Sequence, residues 1–507
     1  MSMFIRDIKR WREWLVEIAS LGILNFRKDQ CLFIYYKRQM MKYNKEATDE
    51  NILNTIANDT FHRSVDVESI ISFIETIEGN AFISLDSAWG EGKTFLVRQI
   101  EMTLNYHRKK YMQTALQDST PRLRESVQIT AEEQSAFDKN KLLGNLKLQN
   151  TYLPIYFDAW LYDNQESALL ALLLIIVRSA SVNINTKLPK DFKKSLAKLF
   201  SSITFWKRFS YKKFIAEDFD FEKMVQALEG QDILANAYTL EEIRNIIKTA
   251  LIDAVVENAQ KLVIFIDEMD RCRPTFAVEL LESIKHYFED DRIIFFISTN
   301  KAQLVHTISR YYGNDFDSSR YLNKFFDINL QLPLIDRNSY LNSIGFSTQR
   351  SDWMIEFADE LQTINYLSLR DCSNYFSRIF AANNSFPEER RHSLDYVYML
   401  IIMVPIICLF EIIDPVNKQR IINGDGLSIL KNTLINSTVA KDLICQFAAN
   451  AKLPDINFDS GFEIFSELYL CAFGNPSRAI RQQYQDRLSS HFKNICLKLC
   501  NAEDSNT

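Results

Sequence analysis

The chain of 507 residues carries 59 lysines and arginines against 65 aspartates and glutamates, a formal net charge of −6. Its 12 glycines and 10 prolines are well under half of the usual shares of roughly 7% and 5%, which excludes turn-rich β sandwiches and propellers and favours long helices. The acidic balance argues against nucleic-acid binding by the chain as a whole. Eight cysteines without a C-x-x-C pair argue against a zinc site or a disulfide framework, so we expect a cytoplasmic protein with reduced thiols.

Residues 1–55 are predicted to form an N-terminal helical extension rich in aromatic and basic side chains. They lack the apolar core and the small-residue cleavage site of a signal peptide. Two later apolar runs, Ala168–Val177 and Tyr396–Phe410, are ten and fifteen residues long, which is shorter than the roughly 20 residues that span a bilayer. We expect both runs to be buried core helices, and we expect no transmembrane span.

Four short apolar segments, each followed by a helical pattern, predict β-strands. They are Ala81–Leu85, Leu153–Phe157, Lys261–Ile266 and Arg292–Ile297. This alternation predicts an α/β fold with a parallel sheet. We expect the α/β core to span residues 56–335, with polar helical insertions near 107–150 and 186–250. Residues 336–507 are expected to form a helical C-terminal domain that acts as a lid or binds partners.

The segment SAWGEGKT, residues 87–94, matches the phosphate-loop pattern G-x-x-x-x-G-K-[ST] except that Ser87 replaces the first glycine. Glycines let consecutive backbone N–H groups approach phosphate oxygens, and the helix that follows adds its positive N-terminus. Lys93 is predicted to be catalytic and to bind the β- and γ-phosphates, and Thr94 is predicted to coordinate Mg²⁺. A turn that carries a GKT string by chance is the alternative. The predicted nucleotide-binding set in this segment is Ser87, Ala88, Trp89, Gly90, Glu91, Gly92, Lys93, Thr94 and Phe95.

The third predicted strand ends in Asp267 and Glu268, and the carboxyl ends of parallel strands are where α/β sheets bind ligands. Asp267 is predicted to hold Mg²⁺. Glu268 is predicted to be catalytic and to activate the attacking water, with a solvated acidic loop as the alternative. Asp270 is given a structural or accessory role. After the fourth strand, Asn300 is chosen over Thr299 as a catalytic sensor, and a cap for the following helix is the alternative.

Five segments in this order resemble the KAP family of P-loop NTPases. They are DTFHRSVDVESIISFIE (Asp59–Glu75), SAWGEGKT, YFDAWLYDNQESALLALL (Tyr156–Leu173), IDEMDRCRP (Ile266–Pro274) and YLNKFFDINLQLP (Tyr321–Pro333). The resemblance covers about residues 56–380. It implies an ATP-hydrolysing P-loop core of the additional-strand type, in which the strand that carries Asp267 is not adjacent to the phosphate-loop strand.

The resemblance further implies ATP and Mg²⁺ as ligands, and a soluble bacterial member similar to KAP ATPases of antiphage defence systems such as Qat. The function expected is Mg²⁺-dependent ATP hydrolysis coupled to conformational change, carried out with partner proteins of a defence complex. A non-catalytic nucleotide-binding switch or scaffold is one alternative, which Ser87 permits. A nucleic-acid-stimulated ATPase is another, and a homo-oligomer stays open.

Several cationic side chains are candidates for coupling ATP hydrolysis to conformational change. Arg271 is predicted to be catalytic and to stabilise transition-state charge in cis or across an oligomer interface, and Arg273 shares this pattern; a salt bridge is the alternative for each. Arg370 resembles a lid-domain sensor arginine that binds the nucleotide, with a surface arginine as the alternative. Residues 187–213 mix nine lysines and arginines with aromatic residues, which is compatible with nucleic-acid or membrane binding. A helical face matched by the acidic residues that follow is the alternative.

Overall fold

The computed structural model describes residues 46–115, 128–165, 167–183, 259–343, 353–384, 394–484 and 491–501. The chain divides into two compact units, residues 44–335 and the residues from 336 onward. Three predictions lie outside the described residues: the N-terminal extension as far as residue 45, the insertion near 186–250, and the basic-aromatic segment 187–213.

The first unit alternates helices with strands along the chain. Its described helices are α1 (Asp49–Ala57), α2 (Ser64–Glu75), α3 (Lys93–Ala115), α4 (Ala131–Lys139), α5 (Lys141–Gly144), α6 (Ala168–Asn183), α7 (Pro274–Tyr287), α8 (Lys301–Tyr312) and α9 (Ser318–Leu322). Its strands are β1 (Ala81–Asp86), β2 (Tyr152–Asp158), β3 (Lys261–Asp267), β4 (Ile293–Thr299) and β5 (Ile328–Gln331).

The five strands form one sheet in the order β2-β3-β4-β1-β5, and every described pairing is parallel. Strand β4 pairs with β1 on one side and with β3 on the other. This arrangement confirms the predicted α/β fold and the additional strand between the phosphate-loop strand and the acidic strand. The carboxyl ends of β1 to β4 therefore meet at one edge of the sheet, at Asp86, Asp158, Asp267 and Thr299.

The central strands are apolar throughout because helices cover both faces of the sheet. On β3, Val263 and Phe265 belong to the hydrophobic cluster that includes α1, α2, α3 and α4. Leu262, Ile264 and Ile266 belong to the opposite cluster, with α6, α7 and α8. Successive side chains of a strand point to opposite faces, so a continuous apolar run supplies both cores.

Two segments outside the predicted strands also contribute to the core. Ile52 and Ile56 of α1 are buried in the cluster that β3 shares with α3, so the packed core starts before the expected boundary at residue 56. Ala136 and Phe137 of α4, within the insertion predicted near 107–150, are buried in the same cluster. Helices α1 and α4 therefore cover the apolar surface of the strands and belong to the packed core.

All described secondary-structure elements of the second unit are helices, as the sequence predicts. Its helices are α10 (Arg337–Ser343), α11 (Trp353–Ile364), α12 (Leu369–Asn384), α13 (Leu394–Ile413), α14 (Pro415–Ile422), α15 (Leu427–Ile435), α16 (Thr438–Asn450), α17 (Phe458–Phe473), α18 (Arg478–Gln483) and α19 (Phe492–Cys500).

The longest described helix of this unit, α13, contains the apolar run Tyr396–Phe410. It has 20 residues, and by length and composition alone it is able to cross a membrane, whereas 72% of its most apolar stretch is buried inside the structure. The helix extends beyond the apolar run at both ends, and its burial agrees with the expectation of a buried core helix; the expected absence of a transmembrane span stays a prediction. Helices α11, α12, α16 and α19 pack against α13, and the Tyr375 hydroxyl donates to the Pro405 carbonyl at 3.3 Å.

Candidate functional site

The phosphate loop joins Asp86, the last residue of β1, to Lys93, the first residue of α3. Gly90 and Gly92 adopt φ angles of 84° and 90°, a region that residues with a side chain rarely occupy. Ser87 is not among the described residues with positive φ. The loop thus requires glycine where the sequence has it, and a serine is compatible with the backbone at position 87.

The other side chains of the predicted nucleotide-binding segment differ in exposure. Ala88 and Trp89 are exposed, Glu91 and Thr94 are half-buried, and Phe95 packs against the hydrophobic cluster that contains α3. Phe95 therefore contributes to the anchoring of the first turn of α3.

Lys93 lies across the loop and is only 9% exposed. Its Nζ donates to the carbonyl oxygens of Ser87 at 2.7 Å and of Ala88 at 3.0 Å. Burial lowers the pKa of Lys93, while nearby carboxylates, Asp270 first and Asp267 second, oppose that shift. An ammonium group at the N-terminus of a helix adds to the positive end of the helix dipole, so this part of the edge suits an anion.

Asp267 ends β3 and is 1% exposed. One carboxylate oxygen accepts a hydrogen bond from the Tyr156 hydroxyl at 3.0 Å, and the other accepts from the Glu268 N–H at 2.9 Å. Asp158, the last residue of β2, lies opposite Asp267 in the strand register. Burial, with the Asp267 charge as a further contribution, raises the pKa of Asp158. The two strand ends therefore concentrate negative charge.

Glu268 follows β3 with a φ angle of 58°, a conformation that costs a residue with a side chain of order 1–3 kcal/mol and recurs at functional sites. Burial, followed by the charge of Asp267, raises the pKa of Glu268 to about 7, although Arg271 opposes the shift. The Arg271 Nε lies 2.5 Å from a Glu268 carboxylate oxygen. Arg271 thus forms the ion pair that the sequence left open as its alternative role.

The segment after β2 covers the acidic loop. The Ala159 N–H donates to the Asp267 carbonyl at 3.0 Å, and the Arg271 guanidinium lies 5.4 Å from the centre of the Trp160 ring. Asp163 accepts from the Arg273 backbone N–H at 2.9 Å and from its Nε at 3.3 Å. Arg273 is therefore held by an ion pair of its own.

Sequence reasoning assigned no site role to Tyr156, Asp158 or Asp163. All three lie in the segment YFDAWLYD, which carried part of the family resemblance. Its alternation of aromatic and acidic residues directly after a strand is the signal that could have placed these side chains beside the acidic loop.

Asp270 joins three parts of the site. One carboxylate oxygen accepts from the Trp89 indole N–H, and the other accepts from the Thr299 hydroxyl at 3.3 Å. The Thr299 carbonyl in turn accepts from the Ser87 N–H at 3.3 Å. Asn300 uses its side-chain oxygen as the cap of α8, accepting from the N–H of the third helical residue at 3.3 Å, so the sensor role predicted for Asn300 stays a prediction.

The residues predicted to hold Mg²⁺ fit that cation. Thr94 lies in the first turn of α3, and Asp267 is a buried carboxylate beside Asp158 and Glu268, whose pKa values are raised first by burial and further by the Asp267 charge. Among the described residues, no three acidic, histidine or cysteine side chains form a ready-made cation site. Mg²⁺ commonly keeps several waters and uses one or two carboxylates together with substrate phosphates, so this donor set suits magnesium brought in with a nucleotide.

Arg370 is the one predicted nucleotide contact in the second unit. It is exposed in the first turn of α12. Its role as a sensor arginine stays a prediction.

Comparison with known proteins agrees with the resemblance drawn from the motifs. The model of the KAP family P-loop domain matches residues 63–351. An uncharacterized protein of the archaeon Methanocaldococcus jannaschii is 28% identical over 168 residues, an alignment that covers 28% of this chain and 86% of that protein. The matched range contains the phosphate loop, the acidic end of β3 and the whole sheet.

Proposed function

This chain belongs to the KAP family of P-loop NTPases, and on that premise we propose that it hydrolyses ATP with Mg²⁺ as cofactor. One observation carries the proposal: the buried Lys93 and the carboxylates of Asp267 and Glu268 lie at one sheet edge, close enough for the charges of both acids to oppose the lowering of the Lys93 pKa by burial. A cationic phosphate cradle beside an acidic strand end is the arrangement that phosphoryl transfer to water uses.

In the proposed reaction, the N–H groups of the loop and of the first turn of α3 bind the phosphates. Lys93 exchanges the carbonyls of Ser87 and Ala88 for phosphate oxygens. Mg²⁺, held by Thr94 and Asp267, supplies charge neutralisation at the phosphates when bound. Tyr156 keeps the Asp267 carboxylate oriented through its hydrogen bond.

Glu268 takes the proton of the attacking water in this scheme. A pKa of about 7 suits a general base that works near neutral pH. Its ion pair with Arg271 must open first, and the released guanidinium is then available to stabilise negative charge on the transferred phosphoryl group. Asn300 serves as the sensor at the end of β4 once it gives up its helix cap.

We propose further that hydrolysis is coupled to a conformational change in the helical residues 336–507, with Arg370 as the contact to the nucleotide. We place this work with partner proteins of a bacterial antiviral defence complex in the cytoplasm. The support for this setting is the family resemblance of the motifs, and copurification of the tagged protein from its native cell tests it.

A nucleotide-binding switch that does not hydrolyse is the second candidate. The Glu268–Arg271 ion pair favours it, because a glutamate held by an arginine is not available to a water molecule. In a switch this ion pair persists after ATP binds, and only the binding event is transmitted.

Phosphate release by the full-length chain, with ATP or GTP and with or without Mg²⁺, tests the proposal. We expect Lys93→Ala to abolish turnover and weaken ATP binding, and Glu268→Gln to lower turnover on the order of 10²-fold or more while binding persists. The exposed Lys139 and Glu289 provide matched controls, Lys139→Ala and Glu289→Gln, which should stay within about twofold of the wild type.

The two candidates give different results in this assay. ATP binding without phosphate release from the wild type, with Glu268→Gln indistinguishable from it, supports the switch and contradicts hydrolysis. Turnover that survives both Lys93→Ala and Glu268→Gln rejects the assigned site. GTP turnover above ATP turnover would correct the choice of nucleotide.

A further inference from the structure

We propose that Asp270 is a positioning residue that ties the phosphate loop to the end of β4 and holds the loop ready for a nucleotide. The inference rests on the proposed function, because it concerns how tightly that loop binds ATP. It assigns a role to Trp89 and Thr299, the two side chains that Asp270 joins.

The contacts form a closed ring. Starting at the loop, the Ser87 N–H donates to the Thr299 carbonyl at 3.3 Å. The Thr299 hydroxyl donates to Asp270 at 3.3 Å, and the Trp89 indole N–H donates to the other oxygen of the same carboxylate. The ring thus fastens the loop to β4 at two points. The Ser87 backbone contacts β4 directly, and the Trp89 side chain is joined to β4 through Asp270.

The burial of these residues indicates that Asp270 and Thr299 are the fixed partners and that Trp89 is the residue they restrain. Asp270 is 6% exposed and Thr299 is fully buried, whereas Trp89 is 44% exposed. A buried carboxylate needs hydrogen-bond donors, and Asp270 obtains them from two segments distant in sequence. Trp89 is buried only in part and precedes Gly90, whose φ of 84° lies in a region that glycine adopts without strain. The hydrogen bond to Asp270 therefore restrains a side chain that burial holds only in part.

The two attachment points prepare the loop before the nucleotide arrives. A binding-competent conformation that is already populated loses less affinity than one that must first be selected from other conformations.

Nucleotide affinity of full-length variants tests the ring, with the magnesium complex of a non-hydrolysable ATP analogue as the probe. Trp89→Phe removes the indole N–H and keeps an aromatic ring, and Thr299→Val removes the hydroxyl and keeps the shape. We expect each to raise the Kd roughly tenfold, the effect of losing one hydrogen bond to a charged group. Thr299→Ser keeps the hydroxyl and should stay within about twofold of wild type.

A double-mutant cycle separates this role from a general weakening of the fold. Asp270→Ala removes the carboxylate, and the double variant Trp89→Phe/Asp270→Ala should bind no more weakly than the worse of the two single variants, because both remove the same contact. Trp353→Phe, in α11, controls for the loss of a tryptophan and should leave the Kd unchanged. Urea midpoints without nucleotide check that every variant is fully folded under the conditions of the binding assay.

The indole proton gives an independent signature. In the nucleotide-free protein labelled with ¹⁵N-tryptophan, the Trp89 indole N–H, identified by its loss in Trp89→Phe, should resonate downfield and move upfield in Asp270→Ala. A Trp89 resonance that Asp270→Ala leaves unmoved overturns the proposal, as does a Kd that Trp89→Phe leaves unchanged. No binding by the wild type would reject the proposed function together with this inference, whereas wild-type binding that is insensitive to the ring variants rejects the inference alone.

Discussion

Replacing Glu101 with glutamine should stabilise the first unit at pH 8 far more than at pH 5. Glu101 lies on α3, two turns after the phosphate loop, where its side chain is 14% exposed and 2.9 Å from the Arg98 guanidinium. Burial outweighs the attraction of Arg98 and raises the pKa of Glu101 from 4.5 to about 7. The folded state therefore binds more protons than the unfolded state between these two values, so stability is lost as the pH rises through this window.

The magnitude follows from the size of the shift. A difference of 7 − 4.5 = 2.5 pKa units, at about 1.4 kcal/mol per unit, gives a cost of ~3 kcal/mol once the pH exceeds 7. At pH 5 less than about 1 kcal/mol of that cost is present, since Glu101 is still protonated in the folded state. Glutamine does not titrate, so the stability advantage of Glu101→Gln should grow by ~2–3 kcal/mol between pH 5 and pH 8.

Urea unfolding, monitored through hydrogen exchange of peptides from α3, measures the difference in unfolding free energy between Glu101→Gln and the wild type for the first unit alone. The difference between variant and wild type cancels all other titrating groups, and the attraction between Arg98 and ionised Glu101 is already contained in the Glu101 pKa of about 7. Glu289→Gln, at an exposed site, is the matched control and should give a flat difference. An advantage of Glu101→Gln that is constant with pH, or that shrinks from pH 5 to pH 8, would refute the burial argument.

Two further substitutions probe the site and the second unit. Tyr156→Phe removes the hydroxyl that donates to Asp267, so half-maximal ATPase activity should require several-fold more Mg²⁺; an unchanged magnesium titration of phosphate release would contradict the orienting role. In Gly461→Ala, the new Cβ would lie 2.1 Å from the Ile444 carbonyl oxygen, so α16 and α17 must separate and thermal unfolding of the second unit should shift down by several degrees. Gly79→Ala, whose Cβ would have its nearest neighbour at 3.8 Å, is the control, and equal melting shifts for the two variants would count against the close-packing argument.

The strands show how far sequence patterning extends. The four predicted apolar runs correspond to β1 to β4, because strands covered on both faces by helices need uninterrupted apolar side chains. The short β5, Ile328–Gln331, alternates half-buried and exposed residues at the end of the sheet and carries no such signal. Its neighbour on the sheet is β1, a pairing that only the folded chain defines.

The phosphate loop shows what local chemistry can settle. Glycine at positions 90 and 92 follows from the need for positive φ, and the backbone has that conformation at both. Ser87 was the weak position of the motif, and the sequence contains no measure of its φ angle. In the structure Ser87 is not among the described residues with positive φ, and the two loop residues that have positive φ, Gly90 and Gly92, come after Trp89.

The acidic loop shows what local chemistry leaves undetermined. The motif predicts that Asp267 and Glu268 stand at the end of a strand; Asp267 is the last residue of β3 and Glu268 follows it directly. It does not predict that Arg271 pairs with Glu268 and stacks on Trp160. Nor does it predict that Asn300 caps α8, since both a cap and a sensor favour asparagine at the start of a helix.

The sequence by itself determined the α/β class and the position of the phosphate loop, because hydrophobic period and glycine requirements act over a few residues. The order of its motifs carried the resemblance to the family. Only the tertiary structure decided that Trp89 meets Asp270, which lies 181 residues away along the chain, and that Tyr156 meets Asp267 across 111 residues. Such contacts arise where the carboxyl ends of parallel strands converge, and strand order, which sets that convergence, depends on packing of the whole sheet.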